Sequence, residues 1–190
     1  MITLLDCDGV LADFATAALA AHGRSETYQD VTAWDIEEMI GVTPEEFWAK
    51  LRGYDFWRFD IQPHEWAHDF LKKLKGDIVI STSPSLDSYC VAGKLDWLKH
   101  HFGITTKDVM VGPKKHLMAQ SGHLLIDDRP KNVEKFINAD ISAEAILFPQ
   151  PWNANADINK DLPADWIYTP ETWKQVVKIQ NQLVKEGART

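Results

Sequence analysis

The sequence predicts an α/β fold, a Rossmann-like and mainly parallel sheet flanked by helices. Short apolar runs of strand length alternate along the chain with longer amphipathic segments, which is the pattern of βαβ units. Three of these runs end in clusters of polar side chains, and parallel strands would bring such ends to one edge of the sheet. The stretch between the first and second runs has no strand pattern and carries half of the chain's eight tryptophans. It therefore predicts a small helical cap inserted after the first strand.

The predicted elements follow from hydrophobic periodicity and from capping signals. Strands are predicted at 2–5, 77–81, 108–111, 123–126 and 144–148. Helices are predicted at 13–21, 63–74, 87–101, 130–137 and from 169 to about 185. Thr43, Pro44 and Glu46 start a further helix in the cap, because they combine an N-cap, a first-position proline and a capping box. A loop that holds Trp152 and Trp166 precedes the last helix.

Composition excludes several classes of protein. A length of 190 residues suits one domain with a small insert, and a formal net charge of −8 disfavours a binder of nucleic-acid polymers. No apolar run approaches the ~20 residues of a membrane span, and the first residues lack the pattern of a signal peptide. The two cysteines, Cys7 and Cys90, match no zinc or disulfide framework. We therefore expect a cytoplasmic protein without membrane contact, and the sequence leaves the oligomeric state open, a homodimer included.

The most informative segment is the run DCDGVLADF at residues 6–14. Asp6 and Asp8 directly follow the first predicted strand, and Gly9 allows the chain to turn away sharply. Residues two apart on an extended chain point the same way, so both carboxylates can face one metal ion. Cys7, which lies between them, would then point into the core. A polar strand end accounts for one aspartate easily but for this pair only with difficulty.

Two more polar clusters follow predicted strands, Thr82 with Ser83 and Asp127 with Asp128. Together with the first pair of aspartates they suit phosphoryl transfer, which needs positioned groups and neutralisation of negative charge. Carboxylates cannot face a phosphate without a cation between them, and hard oxygen ligands favour Mg²⁺. Hydroxyl and backbone N–H groups at Thr82 and Ser83 can donate to phosphate oxygens, and a lysine can add fixed positive charge.

These motifs resemble those of the haloacid dehalogenase-like superfamily, in the same order along the chain. The segments DxDGVLADF, TSP and LLIDDR are similar to those of the 5'(3')-deoxyribonucleotidases, in detail over roughly residues 1–22 and 76–130. The resemblance implies that Asp6 is the nucleophile, which becomes phosphorylated, and that Asp8 is the general acid and base. It also implies that Phe14 lies near the nucleobase.

The resemblance further implies a set of magnesium ligands. These are Asp6, the backbone of Asp8 and one of the paired aspartates, with Asp128 favoured and Asp127 as the alternative. A lysine forms the third motif of the superfamily, and its position in this chain is open.

Three lysines are candidates for that third motif, and the cap supplies the candidates for base stacking. Lys114 and Lys115 lie nearest to LLIDD, with a spacer slightly longer than in the deoxyribonucleotidases, and Lys94 follows Thr82 by twelve residues. Lys115 ranks first, Lys94 second and Lys114 third. The cap cannot be aligned with the family. Trp34, in the loop-like context VTAWD, is the candidate for stacking on the base, whereas Trp66 is expected in the core.

One function is predicted, with alternatives. We expect a phosphatase core of residues 1–22 and 76–190, a cap of residues 23–75, and Mg²⁺-dependent dephosphorylation of (deoxy)nucleoside monophosphates through an aspartyl phosphate on Asp6. A phosphatase of another small phosphate ester is the alternative within the same class. A receiver-like domain is disfavoured because it carries its acidic pair early and its phosphorylated aspartate near mid-chain. A catalytically silent nucleotide-binding module is disfavoured because every catalytic residue type is present.

Overall fold

The computed structural model describes residues 1–156, 158 and 166–187, and within these residues the centre of the protein is a single sheet of six strands. In chain order the strands are β1 (Ile2–Leu5), β2 (Asp77–Thr82), β3 (Val109–Val111), β4 (His123–Asp127), β5 (Glu144–Leu147) and β6 (Ile167–Tyr168). They are arranged in the order β3-β2-β1-β4-β5-β6, and every neighbouring pair is parallel. The predicted fold class is confirmed. Part of the predicted loop between Trp152 and Trp166 lies outside the described residues.

The strand order reverses beside β1. The chain adds β2 and β3 on one side of β1, and then returns to add β4, β5 and β6 on the other side. Open α/β sheets bind ligands outside the carboxyl ends of the strands at such a reversal. Asp6 follows β1 and Asp127 ends β4, so the predicted site lies at this position.

Helices cover both faces of the sheet. In chain order they are α1 (Phe14–Ala21), α2 (Ile36–Ile40), α3 (Pro44–Lys50), α4 (Ala67–Lys73), α5 (Ser88–Phe102), α6 (Pro130–Ala139) and α7 (Trp173–Glu186). Leu5 and Ile126 belong to the larger hydrophobic cluster, which also contains side chains of α1, α5 and α7. Leu4 and Leu125 face the opposite way and pack with α6. Parallel strands that are buried on both faces explain the uninterrupted apolar runs. None of the described helices is long and apolar enough to span a membrane.

The segment between α1 and β2 is helical, as predicted, and contains a π-helical turn at Phe56–Asp60 besides α2, α3 and α4. The capping box at the start of α3 is confirmed. Trp66 packs against the larger cluster, and its indole N–H donates to the carbonyl oxygen of Val10 at 3.0 Å. Because Phe47 and Trp57 of this segment belong to the same cluster as the face of the sheet, the segment packs directly on the core. A separate cap of residues 23–75 stays a prediction.

Three details differ from the predicted elements. Helix α4 begins at Ala67 rather than at Pro63, because Pro63 pairs with Ala12 in a bridge and is held extended. Helix α7 begins at Trp173, since the Thr172 side chain caps it by accepting from the backbone N–H of Gln175. Strand β6 was not predicted, because two residues are too few to show an alternating pattern.

Candidate active site

The carboxyl ends of β1, β2 and β4 bring the predicted polar clusters together at one edge. Asp6, Thr82, Asp127 and Asp128 are buried there, and Asp8 is partly exposed beside them. The chain turns sharply after Asp8, at Gly9, whose φ of 73° lies in the left-handed region that favours glycine. Cys7 is buried in the core, as its position between the two aspartates predicted.

Lys115 lies between two carboxylates at the bottom of the site. Its Nζ is 2.7 Å from Asp6 Oδ1 and 2.6 Å from Asp127 Oδ2, and the lysine side chain is 3% exposed. Burial raises the pKa of Asp6 to about 7, against the opposing charge of Lys115. Burial favours the neutral form of Lys115, but the two carboxylates outweigh it and raise the pKa of the lysine, which stays charged. The Lys115 ammonium group therefore offsets part of the negative charge at the carboxyl ends of both strands.

The two adjacent aspartates of the LLIDDR segment have different surroundings. Asp127 accepts from Lys115, from the backbone N–H of Arg129 at 2.9 Å and from the Asn132 amide at 3.1 Å. Asp128 accepts from the Trp152 indole N–H through Oδ2, and its buried Oδ1 has no hydrogen-bond partner among the described residues. Burial raises the pKa of Asp128 well above its ordinary value.

A cation fits this cluster. Asp6, Asp127 and Asp128 each offer a carboxylate oxygen, and these three oxygens lie within 4.8 Å of one another. Asp127 is already bound by protein donors, whereas Asp128 presents a free buried oxygen. Buried carboxylate oxygens without donors are suited to a hard divalent cation such as Mg²⁺. Of the two adjacent aspartates, Asp128 is therefore better suited than Asp127 to bind the cation.

Lys94 organises the other side of the site. Its ammonium group forms an ion pair with Asp8 Oδ2 and lies 3.2 Å from both Thr82 Oγ1 and the carbonyl oxygen of Ser83. Burial acts to lower the pKa of Lys94, but the negative charge of Asp8 outweighs it and the pKa is raised. Lys94 and Lys115 thus both reach the site, while Lys114 is exposed. The two lysines that ranked first and second have separate positions instead of competing for one.

An aromatic cleft of about 1070 Å³ opens above these groups. Phe14 lines it, with its ring centroid 5.9 Å from that of Trp57 and 6.1 Å from that of Trp48. Trp34 is 41% exposed at the cleft, and the guanidinium carbon of Arg129 lies 4.7 Å from its ring centroid. Phe14, expected near the base, and Trp34, expected to stack on it, therefore line the same cleft as Asp6 and Asp8, and Arg129 lies over the Trp34 ring.

Several residues at the site were not predicted. Trp48 and Trp57 border the cleft, Arg129 contacts Trp34, and Trp152 binds Asp128. In the sequence, Trp48 and Trp57 are only two of the four tryptophans between the first and second predicted strands. Trp152 lies in a loop 24 positions after Asp128, and no motif or spacing in the sequence connects the two.

The parallel sheet, the strand order and the edge of aspartates and lysines give the chain the fold of the haloacid dehalogenase-like class. A solved structure of a haloacid dehalogenase-like protein from Agrobacterium tumefaciens has the same fold, with a TM-score of 0.62 and 14% identity, over 96% of this chain and 98% of that one.

Within this class, residues 1–176 match the model of the family described as 5'-nucleotidase, deoxy (pyrimidine), cytosolic type C. The chain belongs to this family of phosphoric monoester hydrolases. A Bordetella pertussis protein provisionally named 5'(3')-deoxyribonucleotidase is 31% identical over 68% of this chain and 75% of its own length. The mitochondrial 5'(3')-deoxyribonucleotidase of Mus musculus is 29% identical over 67% of this chain and 64% of its own.

Proposed function

We propose that the protein is a Mg²⁺-dependent phosphatase that hydrolyses deoxynucleoside monophosphates through an aspartyl phosphate on Asp6. One observation carries the proposal, namely that Asp6 and Asp8 line the same aromatic cleft, each paired with its own buried lysine. This geometry supplies a nucleophile, a separate proton donor and two fixed positive charges at the bottom of one cleft.

The first half of the reaction makes the phosphoenzyme. A carboxylate oxygen of Asp6 attacks phosphorus in line, and the bond from phosphorus to the sugar oxygen breaks. Asp8 donates its proton to the departing oxygen, so the nucleoside leaves as a neutral alcohol. Positioned proton transfer of this kind typically contributes ~10²–10⁴-fold to the rate.

The second half returns the enzyme to its starting state. Asp8, now ionised, takes a proton from a water molecule that attacks the phosphorus atom. The bond between phosphorus and Asp6 breaks, inorganic phosphate leaves, and Asp8 is protonated again. The ion pair with Lys94 is suited to the ionised form of Asp8 between the two steps.

Charge around the phosphoryl group comes from this chain and from a metal ion. Lys94, Thr82 and Ser83 lie together and can donate to phosphate oxygens. Bound by Asp6, the backbone of Asp8 and Asp128, Mg²⁺ would supply the positive charge that lets an anionic nucleophile face an anionic phosphate. Lys115 keeps Asp6 oriented and lowers its pKa against the effect of burial.

The substrate class rests on the family and on the aromatic cleft. Relatives named as deoxyribonucleotidases support a nucleoside monophosphate, and stacking a base on an aromatic face contributes ~1–3 kcal/mol. Phe14 and Trp34 are the proposed base contacts. A cytoplasmic location stays a prediction that cell fractionation would test, since one of the relatives is named as a mitochondrial protein.

A phosphate-release screen tests the proposed function. Deoxynucleoside and ribonucleoside monophosphates, sugar phosphates and p-nitrophenyl phosphate are compared with Mg²⁺ and with a chelator. We expect turnover of deoxynucleoside monophosphates only with Mg²⁺, and no turnover by Asp6→Asn. Asp108→Asn, the same change at an exposed aspartate away from the site, should keep full activity.

Trapping the intermediate tests the two aspartate roles. Acid quenching with labelled substrate should recover phosphoenzyme from the wild type and none from Asp6→Asn. In Asp8→Asn the phosphoenzyme should form slowly. The proposal would be contradicted by turnover in the presence of chelator or by a preference for sugar phosphates. Recovery of labelled phosphoenzyme from Asp6→Asn would also contradict it.

A further inference from the structure

The loop after β5 contacts both aspartate segments of the site. The indole N–H of Trp152 donates to Asp128 Oδ2 at 3.0 Å, and the Trp152 ring is half-buried at the edge of the cleft. The other oxygen of the same carboxylate is the one that has no hydrogen-bond partner among the described residues. One oxygen of Asp128 is therefore bound by the protein, and the other is left for a ligand.

The position of this loop is fixed by its other side chains. The Asn153 amide donates to the carbonyl oxygens of Asp128 at 2.7 Å and Phe148 at 2.8 Å. The Gln150 amide donates to the carbonyl oxygen of Gly9, and the Gln150 backbone N–H donates to Asn153 Oδ1 at 3.0 Å. The loop is thus attached to the segment after β1 and to the segment after β4.

The contact between Trp152 and Asp128 is possible because residue 9 has no side chain. A Cβ atom at Gly9 would overlap Asp128 Oδ2 and lie 3.0 Å from Trp152 Cζ2. The carboxylate and the indole therefore fill the space directly against the Gly9 backbone. This packing holds the Asp128 side chain in the orientation that leaves Oδ1 free.

We propose that Trp152 is the positioning residue of the metal site, holding Oδ2 of Asp128 so that Oδ1 is presented to the divalent cation. The inference rests on the proposed Mg²⁺-dependent function and adds to it a residue outside the four motifs. A hydrogen bond to a ligating carboxylate orients the ligand, and loss of such an outer contact typically lowers metal affinity or activity by ~10–100-fold. A merely structural role for the indole would lower stability without changing metal affinity.

The decisive variant is Trp152→Phe, which keeps an aromatic ring and removes the N–H donor. Its matched control is Trp173→Phe, the same change at a half-buried tryptophan on α7, which packs against Phe70. The Mg²⁺ dissociation constant is measured by calorimetry on each folded protein without substrate. We expect that constant to rise ~10–100-fold in Trp152→Phe and to stay at the wild-type value in Trp173→Phe.

A second measurement uses the wild-type protein alone, in case Trp152→Phe folds poorly. The indole N–H signal of Trp152, assigned by triple-resonance NMR on the labelled wild-type protein, is followed during a Mg²⁺ titration. It should shift along the same binding curve that calorimetry gives, because the cation withdraws charge from the carboxylate that accepts this hydrogen bond.

The outcomes separate this inference from the proposed function. The role of Trp152 is overturned if the Mg²⁺ dissociation constant is unchanged in folded Trp152→Phe, or if the indole signal does not shift with Mg²⁺. In either case the wild type would still hydrolyse nucleotides, so the proposed function would stand. A wild-type protein that neither binds Mg²⁺ nor releases phosphate overturns both. Equal loss of affinity in Trp173→Phe would also refute the inference, since any lost indole would then have the same effect.

Discussion

Replacing Lys115 by methionine tests the electrostatics of the site most directly. Methionine keeps an unbranched, flexible side chain of similar length, so packing is largely preserved while the ammonium group is removed. In the native site that group lies 2.7 Å from Asp6 and 2.6 Å from Asp127. Without it, no buried lysine or arginine among the described residues lies between the three carboxylates, whose ligand oxygens are within 4.8 Å of one another.

The expected loss can be estimated from this burial. Removing one partner of a buried ion pair typically costs ~3–5 kcal/mol in the free energy of unfolding, because the remaining charge is buried without compensation. Mg²⁺ should recover part of this loss, since it supplies positive charge to the same carboxylates. Burial already raises the pKa of Asp6 to about 7 in the presence of Lys115, so its pKa rises further in the variant and less of the nucleophile is ionised. We expect kcat/KM to fall by ~10²–10³-fold, as for loss of one preorganised charge contact.

Urea unfolding and phosphate-release assays at neutral pH measure both effects, each with chelator and with Mg²⁺. Lys114→Met is the matched control, because it makes the same change at the adjacent exposed position. The control should unfold and react like the wild type. If Lys115→Met matched the control in both assays, or if Mg²⁺ destabilised it, the assignment of Lys115 as the neutralising cation would be wrong.

Three further predictions concern other parts of the site and the core. Gly9→Ala should lose activity, and calorimetry should show loss of Mg²⁺ binding, because the added Cβ would overlap the Asp128 carboxylate. The φ of 73° at this position also disfavours alanine. His64 is buried with neither ring nitrogen hydrogen-bonded among the described residues, and burial lowers its pKa to about 3. Its folded pKa is below its unfolded value of 6.5, so the free energy of unfolding should fall as the pH is lowered from 6.5 towards 3, by up to about 1.4 kcal/mol per pH unit. Urea unfolding at several pH values should show a weaker pH dependence in His64→Phe. Phe14→Ala and Trp34→Ala should each lower kcat/KM for deoxynucleotides by ~10–100-fold while sparing p-nitrophenyl phosphate, whereas equal losses on both substrates would indicate structural damage.

The sheet and the location of the site could be predicted because local sequence determines them. Apolar runs bounded by turn residues mark the strands, and each aspartate cluster directly follows a run. A parallel sheet brings such ends together whatever the details of packing. The placement of Asp6, Asp8 and Asp127 at one edge therefore needed only the strand assignments. The resemblance to a family was needed for the chemical roles, which spacing alone does not distinguish.

The walls of the site could not be predicted because they depend on contacts between distant segments. The contact between Phe14 and Trp57 depends on the packing of α5 against the π-helical turn at Phe56–Asp60, where Gly93 leaves room for the tryptophan. Lys94 could not be separated from Lys115 because both assignments assumed a single lysine, whereas the fold places Lys94 beside Asp8 and Lys115 between Asp6 and Asp127. Short elements also carry weak patterns, which is why β6 was missed.

The pair Asp127–Asp128 shows how adjacent identical residues acquire different tasks. Successive side chains at the end of a strand point in different directions, so the two carboxylates cannot share one set of partners. Asp127 receives a lysine, a backbone N–H and an asparagine amide, which satisfy it within the protein. Among the residues that the structure describes, the Asp128 carboxylate accepts only an indole N–H and keeps one buried oxygen without a donor. A buried oxygen of this kind is costly unless a cation binds it, because burial favours the neutral acid. The apo protein therefore accepts a local loss of stability at Asp128, and binding of a divalent cation would recover it.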